Sequence, residues 1–193
     1  MAMGIILAGG YSSRAESNKM VLKYKNIEII RHVIVSMQDY CSKIIVVTGH
    51  YHEDTLKVVK DFEKVKVVRN VNYNQGMFNS VKVGVKEIDD DFFITPGDYP
   101  LIMKSTYEKI LNAKGILRVP TFNNRRGHPL FISKELIGDL LCESDDSNLK
   151  EFRNKYVITN VETNDSGILK DIDTVNDYIK LKTERKEDWY CED

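Results

Sequence analysis

At 193 residues, with 42% hydrophobic and 30% charged side chains, the chain has the length and make-up of one globular domain and excludes general disorder, a collagen-like rod or a coiled coil. Twenty-eight basic residues against 29 acidic ones leave a net charge of -1, so no broad electrostatic field draws the protein to nucleic acid or to an anionic membrane, and any anion must be met locally. No apolar run approaches the roughly 20 residues that cross a bilayer. Residues 1–10 lack a basic n-region and a cleavage site, and Cys41, Cys142 and Cys191 are too scattered for a disulfide framework or a metal knuckle, so a reducing cytoplasm is the expected location.

Taken in chain order, short β-branched runs alternate with segments of helical period, the pattern of a parallel sheet with crossover helices. Strands are predicted at 4–7, 43–48, 65–68 and 92–95, each ending near Gly, Asn or Asp. The intervening helices carry apolar stripes: Ile30, Val33, Ile34 and Met37 within 29–40, then Leu56, Val59 and Phe62, then Val81, Val85 and Ile88. After Pro100 the order changes. Residues 116–122 and 130–133 read as two strands around a turn at 123–127, which implies an antiparallel excursion beside the sheet. Helical segments at 133–142 and 146–154, a strand at 157–161 and a last helix at 174–183 follow. The expectation is one domain over 1–183, a three-layer Rossmann-like α/β fold with a mostly parallel sheet and a small antiparallel extension. Residues 184–193 read as a frayed charged tail around Trp189.

Three stretches carry chemistry. Leu7-Ala8-Gly9-Gly10-Tyr11-Ser12-Ser13-Arg14, with Lys19 beyond it, directly follows the first strand. Two glycines let backbone amides approach a phosphate, and Ser12, Arg14 and Lys19 supply a hydroxyl and two cations; a plain glycine turn is the competing reading. Neither a Walker A loop nor GxGxxG is present, which weakens both the P-loop and the nicotinamide-oxidoreductase readings. In Pro96-Gly97-Asp98-Tyr99-Pro100, Asp98 stands at the carboxyl end of a strand, where open α/β folds place ligands. It is either an oxygen ligand for a hard divalent cation or the acceptor of an Asx turn. In Asp171-Ile172-Asp173-Thr174, either Asp173 or Thr174 caps the last helix, or Asp173 joins the metal.

Together these stretches resemble the small nucleotidyltransferases of the molybdenum cofactor type, within the wider class that includes sugar-1-phosphate nucleotidylyltransferases. The resemblance rests on Leu7 to Lys19, Gly97 to Pro100 and Asp171 to Asp177, in that order, and covers most of the chain. It implies a nucleotide held by Leu7, Ala8, Gly9, Gly10, Ser12, Arg14 and Lys19, with Arg14, Lys19 and Asp98 as catalytic groups and Mg²⁺ on Asp98 and Asp173. Gly76 and Ser80, in Asn74-Gln75-Gly76-Met77-Phe78-Asn79-Ser80, match the family's glycine-then-serine loop, at what is otherwise an ordinary helix start. Arg126-Gly127-His128-Pro129 looks like the segment by which cytidylyltransferases of this kind meet the pterin, which makes Arg126, Gly127 and His128 substrate-binding residues; a structural turn histidine is the alternative for His128.

The implied substrates are a nucleoside triphosphate and molybdenum cofactor, with a molybdenum hydroxylase as the possible recipient of the product. Glu16 departs from the family's loop, and Val175 replaces a frequent proline. The implied reaction is CMP transfer from CTP. A guanylyltransferase or sugar-phosphate nucleotidylyltransferase using the same site is the nearest alternative, and a non-catalytic cofactor-delivery protein is the alternative from another class.

Overall fold

The computed structural model describes residues 1–10 and 18–183. The expectations for Ser12, Arg14, Glu16 and the 184–193 tail lie outside the described residues.

The central strand β1 (Ala2–Ala8) is buried along its whole length. Beyond the first loop come a two-residue hairpin, β2 (Lys23–Tyr24) and β3 (Ile27–Glu28), then α1 (Ile29–Met37), β4 (Cys41–Thr48), α2 (His52–Val59), β5 (Val65–Arg69), α3 (Met77–Val85) and β6 (Phe92–Pro96). The chain continues through α4 (Lys104–Asn112), β7 (Leu117–Phe122), β8 (Arg125–Arg126), β9 (Leu130–Ile132), α5 (Ile137–Cys142), α6 (Leu149–Arg153), β10 (Thr159–Glu162) and α7 (Val175–Thr183). The main sheet runs β10-β7-β9-β6-β1-β4-β5, with β8 added to β7. β5, β4, β1 and β6 are mutually parallel, β9 runs against both its neighbours, and β10 is parallel to β7. The antiparallel excursion is thus not beside the sheet but within it, because β9 pairs with β6 as well as with β7.

The period-2 alternation of β1 sorts its side chains between two cores. Met3, Ile5 and Leu7 pack with Phe78, Val81 and Val85 of α3 and with Leu140 and Phe152 behind β6, β7 and β9. Ala2, Ile6 and Ala8 face Ile30, Val33, Ile34 and Met37 of α1, with Val59, Tyr107 and Ile110 of α2 and α4. These are the three expected layers. Cys41 and Cys142 are free thiols, and burial pushes the Cys41 thiol up to about 12.

Helix α4 and the short strands β2, β3 and β8 are absent from the sequence reading for physical reasons. α4 buries only Thr106, Tyr107 and Ile110 and is polar elsewhere, too narrow a stripe to stand out. The β2–β3 hairpin turns through Lys25 and Asn26 at φ 49° and 67°, a left-handed pair without the Asn-Gly that usually marks it. Asn123 and Asn124 turn β7 into β8 in the same way, at 48° and 61°.

The irregular stretch after β10 is fastened to the loop after β6. Asp165, 2% exposed, accepts hydrogen bonds from the Met103 and Gly167 amides at 2.8 Å each and from the Thr106 hydroxyl at 2.6 Å. Further along, the Ile172 amide donates to the Asp98 carbonyl at 3.0 Å, and the His128 amide donates to the Ile168 carbonyl at 3.0 Å. Gly127 permits this last approach, since a Cβ there would run into the Ile168 carbonyl oxygen. Exposed pairs such as Lys57–Asp54 contribute at most about 1 kcal/mol. Removal of Asp165 instead strands three donors, two of them backbone amides. Asp165→Ala is expected to lower unfolding free energy by about 3–5 kcal/mol, read as a shift of the urea midpoint; a loss below about 1 kcal/mol contradicts the clamp.

Candidate active site

The carboxyl ends of β1 and β6 lie side by side, joined by a hydrogen bond from the Gly97 amide to the Leu7 carbonyl at 2.9 Å. Above them opens a cleft of about 710 Å³, the position open α/β sheets use for ligands. Leu7, Ala8, Gly9, Gly10, Lys19, Gly76, Ser80, Asp98 and Asp173 all line it, so residues spread from position 7 to position 173 converge on one surface.

At its centre the Lys19 ammonium donates to Asp98 Oδ2 at 3.0 Å and to Asp173 Oδ1 at 2.9 Å. The Lys19 and Asp98 side chains are only 12% and 17% exposed, while Asp173 is 49% exposed. Burial drags the Lys19 pKa down, but the hydrogen bonds and charges of the two aspartates more than offset this and hold it above its usual value. Burial also pushes the Asp98 carboxyl up, against the opposing pull of Lys19. Asp98 Oδ1 is sealed from solvent with no hydrogen-bond partner, so no Asx turn consumes it.

The alternatives left open around residue 173 resolve on geometry. Thr174 and Asp177 form the reciprocal capping pair of α7: the Thr174 amide and hydroxyl reach Asp177 Oδ2 at 2.8 and 2.7 Å, and the Asp177 amide returns to the Thr174 hydroxyl at 3.1 Å. Asp173 is thereby left out of the cap, and its carboxylate is available to the cleft. Two carboxylates from separate loops, here bridged by the Lys19 ammonium, are donors of the type a hard cation such as Mg²⁺ takes, one or two carboxylates with water and phosphate oxygens completing the shell. Among the described residues no group of three or more His, Cys, Asp or Glu side chains gathers around a common point.

The opposite wall is the start of α3. Gly76 precedes it at φ 102°, a conformation that side-chain-bearing residues resist, and no side chain caps the helix. Gly76 and Met77 line the cleft there, leaving uncapped amides of a nine-residue helix at an anion-favouring end. Ser80 is buried and its Oγ accepts from Asn70 Nδ2 at 2.9 Å, while Asn70 Oδ1 takes the Asn72 amide at 2.9 Å. Ser80 thus braces the loop that carries Tyr73 and Asn74 into the cleft. Sequence reasoning missed those two residues, and also Asn18, whose Oδ1 accepts from the Met20 amide at 3.1 Å and sets the turn that presents Lys19. An Asn placed to cap the short turn at Lys19–Val21 was the available signal.

Arg126, Gly127 and His128 stand outside the lining of this cleft. Arg126 lines a second cavity of about 540 Å³ with Thr121, Asn124 and Asn160. His128 packs edge-on against Tyr99, with ring centroids 4.7 Å apart, so the two regions adjoin through the residue after Asp98. Its Nδ1 is sealed and unpartnered although part of the residue remains accessible. Burial, and after it the charge of Arg153, hold the imidazole down to about 4 from 6.5, against an upward pull from the Ile94 backbone.

A sheet-end cleft with Gly9 and Gly10, an uncapped helix start and a paired-carboxylate centre offers an anionic ligand backbone amides on one wall and a charged centre on the other. The chain belongs to the family of the MobA-like NTP transferase domain, whose model matches residues 4–160, and it is a nucleotidyltransferase. It is 30% identical to the molybdenum cofactor cytidylyltransferase of Escherichia coli (strain K12), over 92% of this chain and 94% of the relative. It is 26% identical to a probable molybdenum cofactor guanylyltransferase of Bacillus cereus (strain G9842), over 93% and 94% of the two chains. Among solved structures, a nucleotidyl transferase from Methanothermobacter superposes with TM-score 0.81 at 22% identity, covering 94% of this chain and 96% of that one. A Mycobacterium tuberculosis H37Rv protein in complex with manganese gives 0.77 at 18% identity, covering 96% and 100%.

Two outcomes follow from this geometry. Gly76→Ala is expected to cost about 1–2 kcal/mol in chemical denaturation, because a Cβ must enter the left-handed region; a neutral result contradicts the strained helix start. For His128, the unfolded chain binds a proton near 6.5 and the folded one only near 4. Unfolding therefore takes up a proton in that window, and stability falls as pH drops through it. In His128→Phe, the loss of stability between pH 7 and pH 4.5 should be smaller than in wild type by about 2 kcal/mol; equal losses would show that His128 does not titrate this way.

Proposed function

We propose that this chain transfers a nucleotidyl group to the phosphate of molybdenum cofactor, with CTP as donor, pyrophosphate as leaving group and Mg²⁺ as the metal. The observation that carries the reading is the convergence of Lys19, Asp98 and Asp173 at the cleft, in a chain of this family and 30% identical to a molybdenum cofactor cytidylyltransferase.

In the reaction an acceptor phosphate oxygen bonds to the α-phosphorus, and the bond from that phosphorus to the α–β bridging oxygen breaks as pyrophosphate leaves. The acceptor is already ionised at neutral pH, so no protein nucleophile or strong general base is needed and catalysis is positioning plus electrostatics. Mg²⁺ held by Asp98 and Asp173 would neutralise the charge that gathers on the phosphates. Gly9 and Gly10 let the backbone come close to the triphosphate. Lys19, kept protonated by its two carboxylates, offers a fixed positive charge in a partly dry site, where it acts more strongly than in water. Ser12 and Arg14 join the nucleotide grip in this reading, and Arg126, Gly127 and His128 face the acceptor side. The product, a dinucleotide form of the cofactor, is suited to delivery to a molybdenum hydroxylase. Among the described residues no helix is long and apolar enough to cross a membrane, in keeping with a cytoplasmic setting.

GTP is the second donor to consider, because Leu7-Ala8-Gly9-Gly10 resembles the guanylyltransferase form and the Bacillus cereus relative bears that name. The deciding experiment measures pyrophosphate release with purified protein, Mg²⁺ and molybdenum cofactor, comparing CTP, GTP, ATP and UTP. CTP-selective turnover supports the proposal, GTP selectivity reverses the donor, and silence with all four overturns the reading. Asp98→Asn should lower kcat at least about 1,000-fold while keeping the thermal midpoint within a few degrees of wild type; retained turnover removes Asp98 from the site.

A further inference from the structure

Lys19 and a divalent cation call on the same oxygens. The Lys19 ammonium lies 3.0 Å from Asp98 Oδ2 and 2.9 Å from Asp173 Oδ1, so it engages one oxygen of each carboxylate. The second oxygen of Asp98, Oδ1, is sealed from solvent and has no hydrogen-bond partner. Asp98 therefore presents Oδ2 to the cleft, and the ammonium is already on it. A hard divalent cation binds carboxylate oxygens at about 2.0–2.6 Å. An ion on Asp98 Oδ2 and Asp173 stands within a few ångströms of the ammonium. Like charges that close, beside side chains largely withdrawn from water, repel strongly.

The surroundings make the lysine side chain, and not its backbone, the part that yields. Asn18 Oδ1 holds the Met20 amide at 3.1 Å, and Met20 is 8% exposed. The Met20 sulfur packs so closely over Gly97 that a Cβ there would come within 2.7 Å of it. Gly97 precedes Asp98, so the roots of Lys19 and Asp98 are fixed to each other. The lysine stem, by contrast, is a flexible four-carbon chain carrying a point charge. The cleft it lines also contains Gly9, Gly10 and Gly76, next to the uncapped amides of α3. An ammonium that leaves the carboxylates thus stays beside the groups that favour an anion.

Charge balance favours the exchange once a polyphosphate is present. Two carboxylates around one ammonium keep one excess negative charge; around a divalent ion they are neutral, and the ammonium is released to phosphate oxygens.

We propose that Lys19 is a latch on the metal seat: its ammonium holds Asp98 and Asp173 until a polyphosphate draws it away, so that the protein takes a divalent cation together with the nucleotide and only poorly before it. That this ion is the metal of the reaction rests on the nucleotidyl-transfer reading; the competition between Lys19 and a divalent cation for the same oxygens does not. The coupling is reciprocal, so the factor by which polyphosphate tightens the metal is also the factor by which the metal tightens polyphosphate.

The first test contains no nucleotide. Mn²⁺ is titrated into the protein and the free ion is followed by electron paramagnetic resonance. Lys19→Met keeps the stem and removes the charge, and it should bind Mn²⁺ at least about 10-fold more tightly than wild type. An equal or weaker affinity overturns the latch. Adding Asp173→Asn to Lys19→Met should abolish the gain; a gain that survives puts the ion elsewhere and overturns it as well.

The second test needs no variant, and it decides the matter if Lys19→Met does not fold. Thermal unfolding of wild type is followed with Mn²⁺ alone, inorganic tripolyphosphate alone and both together. The two together should raise the midpoint by several degrees beyond the sum of the separate rises, since each ligand favours the other's binding. A merely additive rise overturns the coupling. If both tests come out as expected while no triphosphate yields pyrophosphate, the functional reading fails and the latch stands.

Discussion

The contact on which the rest of the architecture depends is Lys19 held between Asp98 and Asp173. It contributes little to net stability, because desolvating three charges costs about as much as their attraction returns. Its importance is geometric: one ammonium group gathers the loop after β1, the loop after β6 and the segment before α7. Two carboxylates around one cation also leave an excess negative charge in a half-dry setting, which ordinary packing would avoid. Such an arrangement persists where chemistry requires it, and clustered perturbed ionisable groups in a cleft are a recognised sign of that.

Holding this centre in place falls to features that would look merely structural if taken one at a time. The sheet fixes β1 against β6, Asp165 fastens the turn after β10 to the start of α4, and the Ile172 amide closes on the Asp98 carbonyl. Thr174 and Asp177 cap α7 between themselves, which keeps Asp173 out of the helix start. The antiparallel strand β9, wedged between β6 and β7, brings the Arg126 to His128 turn up beside Tyr99.

Much of this was legible in the sequence. The parallel core was readable because β-branched runs and i, i+3, i+4 stripes are strong signals, and the cleft residues because Gly9, Gly10 and Asp98 follow strand ends, where ligands gather, with Lys19 in the loop beyond the first of them. α4 was illegible because a helix that buries three side chains leaves almost no period. The β2–β3 turn was hidden because Lys-Asn does what Asn-Gly usually does. Asp165 could not be singled out, since an Asn-Asp-Ser stretch reads as a surface turn, and only the fold shows that it is buried against α4.

The separation of Lys19 from Asp173, 154 positions along the chain, has a consequence for how the protein is made. Synthesis proceeds from the N-terminus, so β1, β4, β5 and β6 can pair, and Lys19 can meet Asp98, while the last segment is still being added. Asp173 joins only when the segment after β10 has emerged and the Asp165 and Ile172 contacts have formed. During biosynthesis the sheet therefore precedes the active centre, and a growing chain passes through a stage in which it has its fold but not yet its full set of charges.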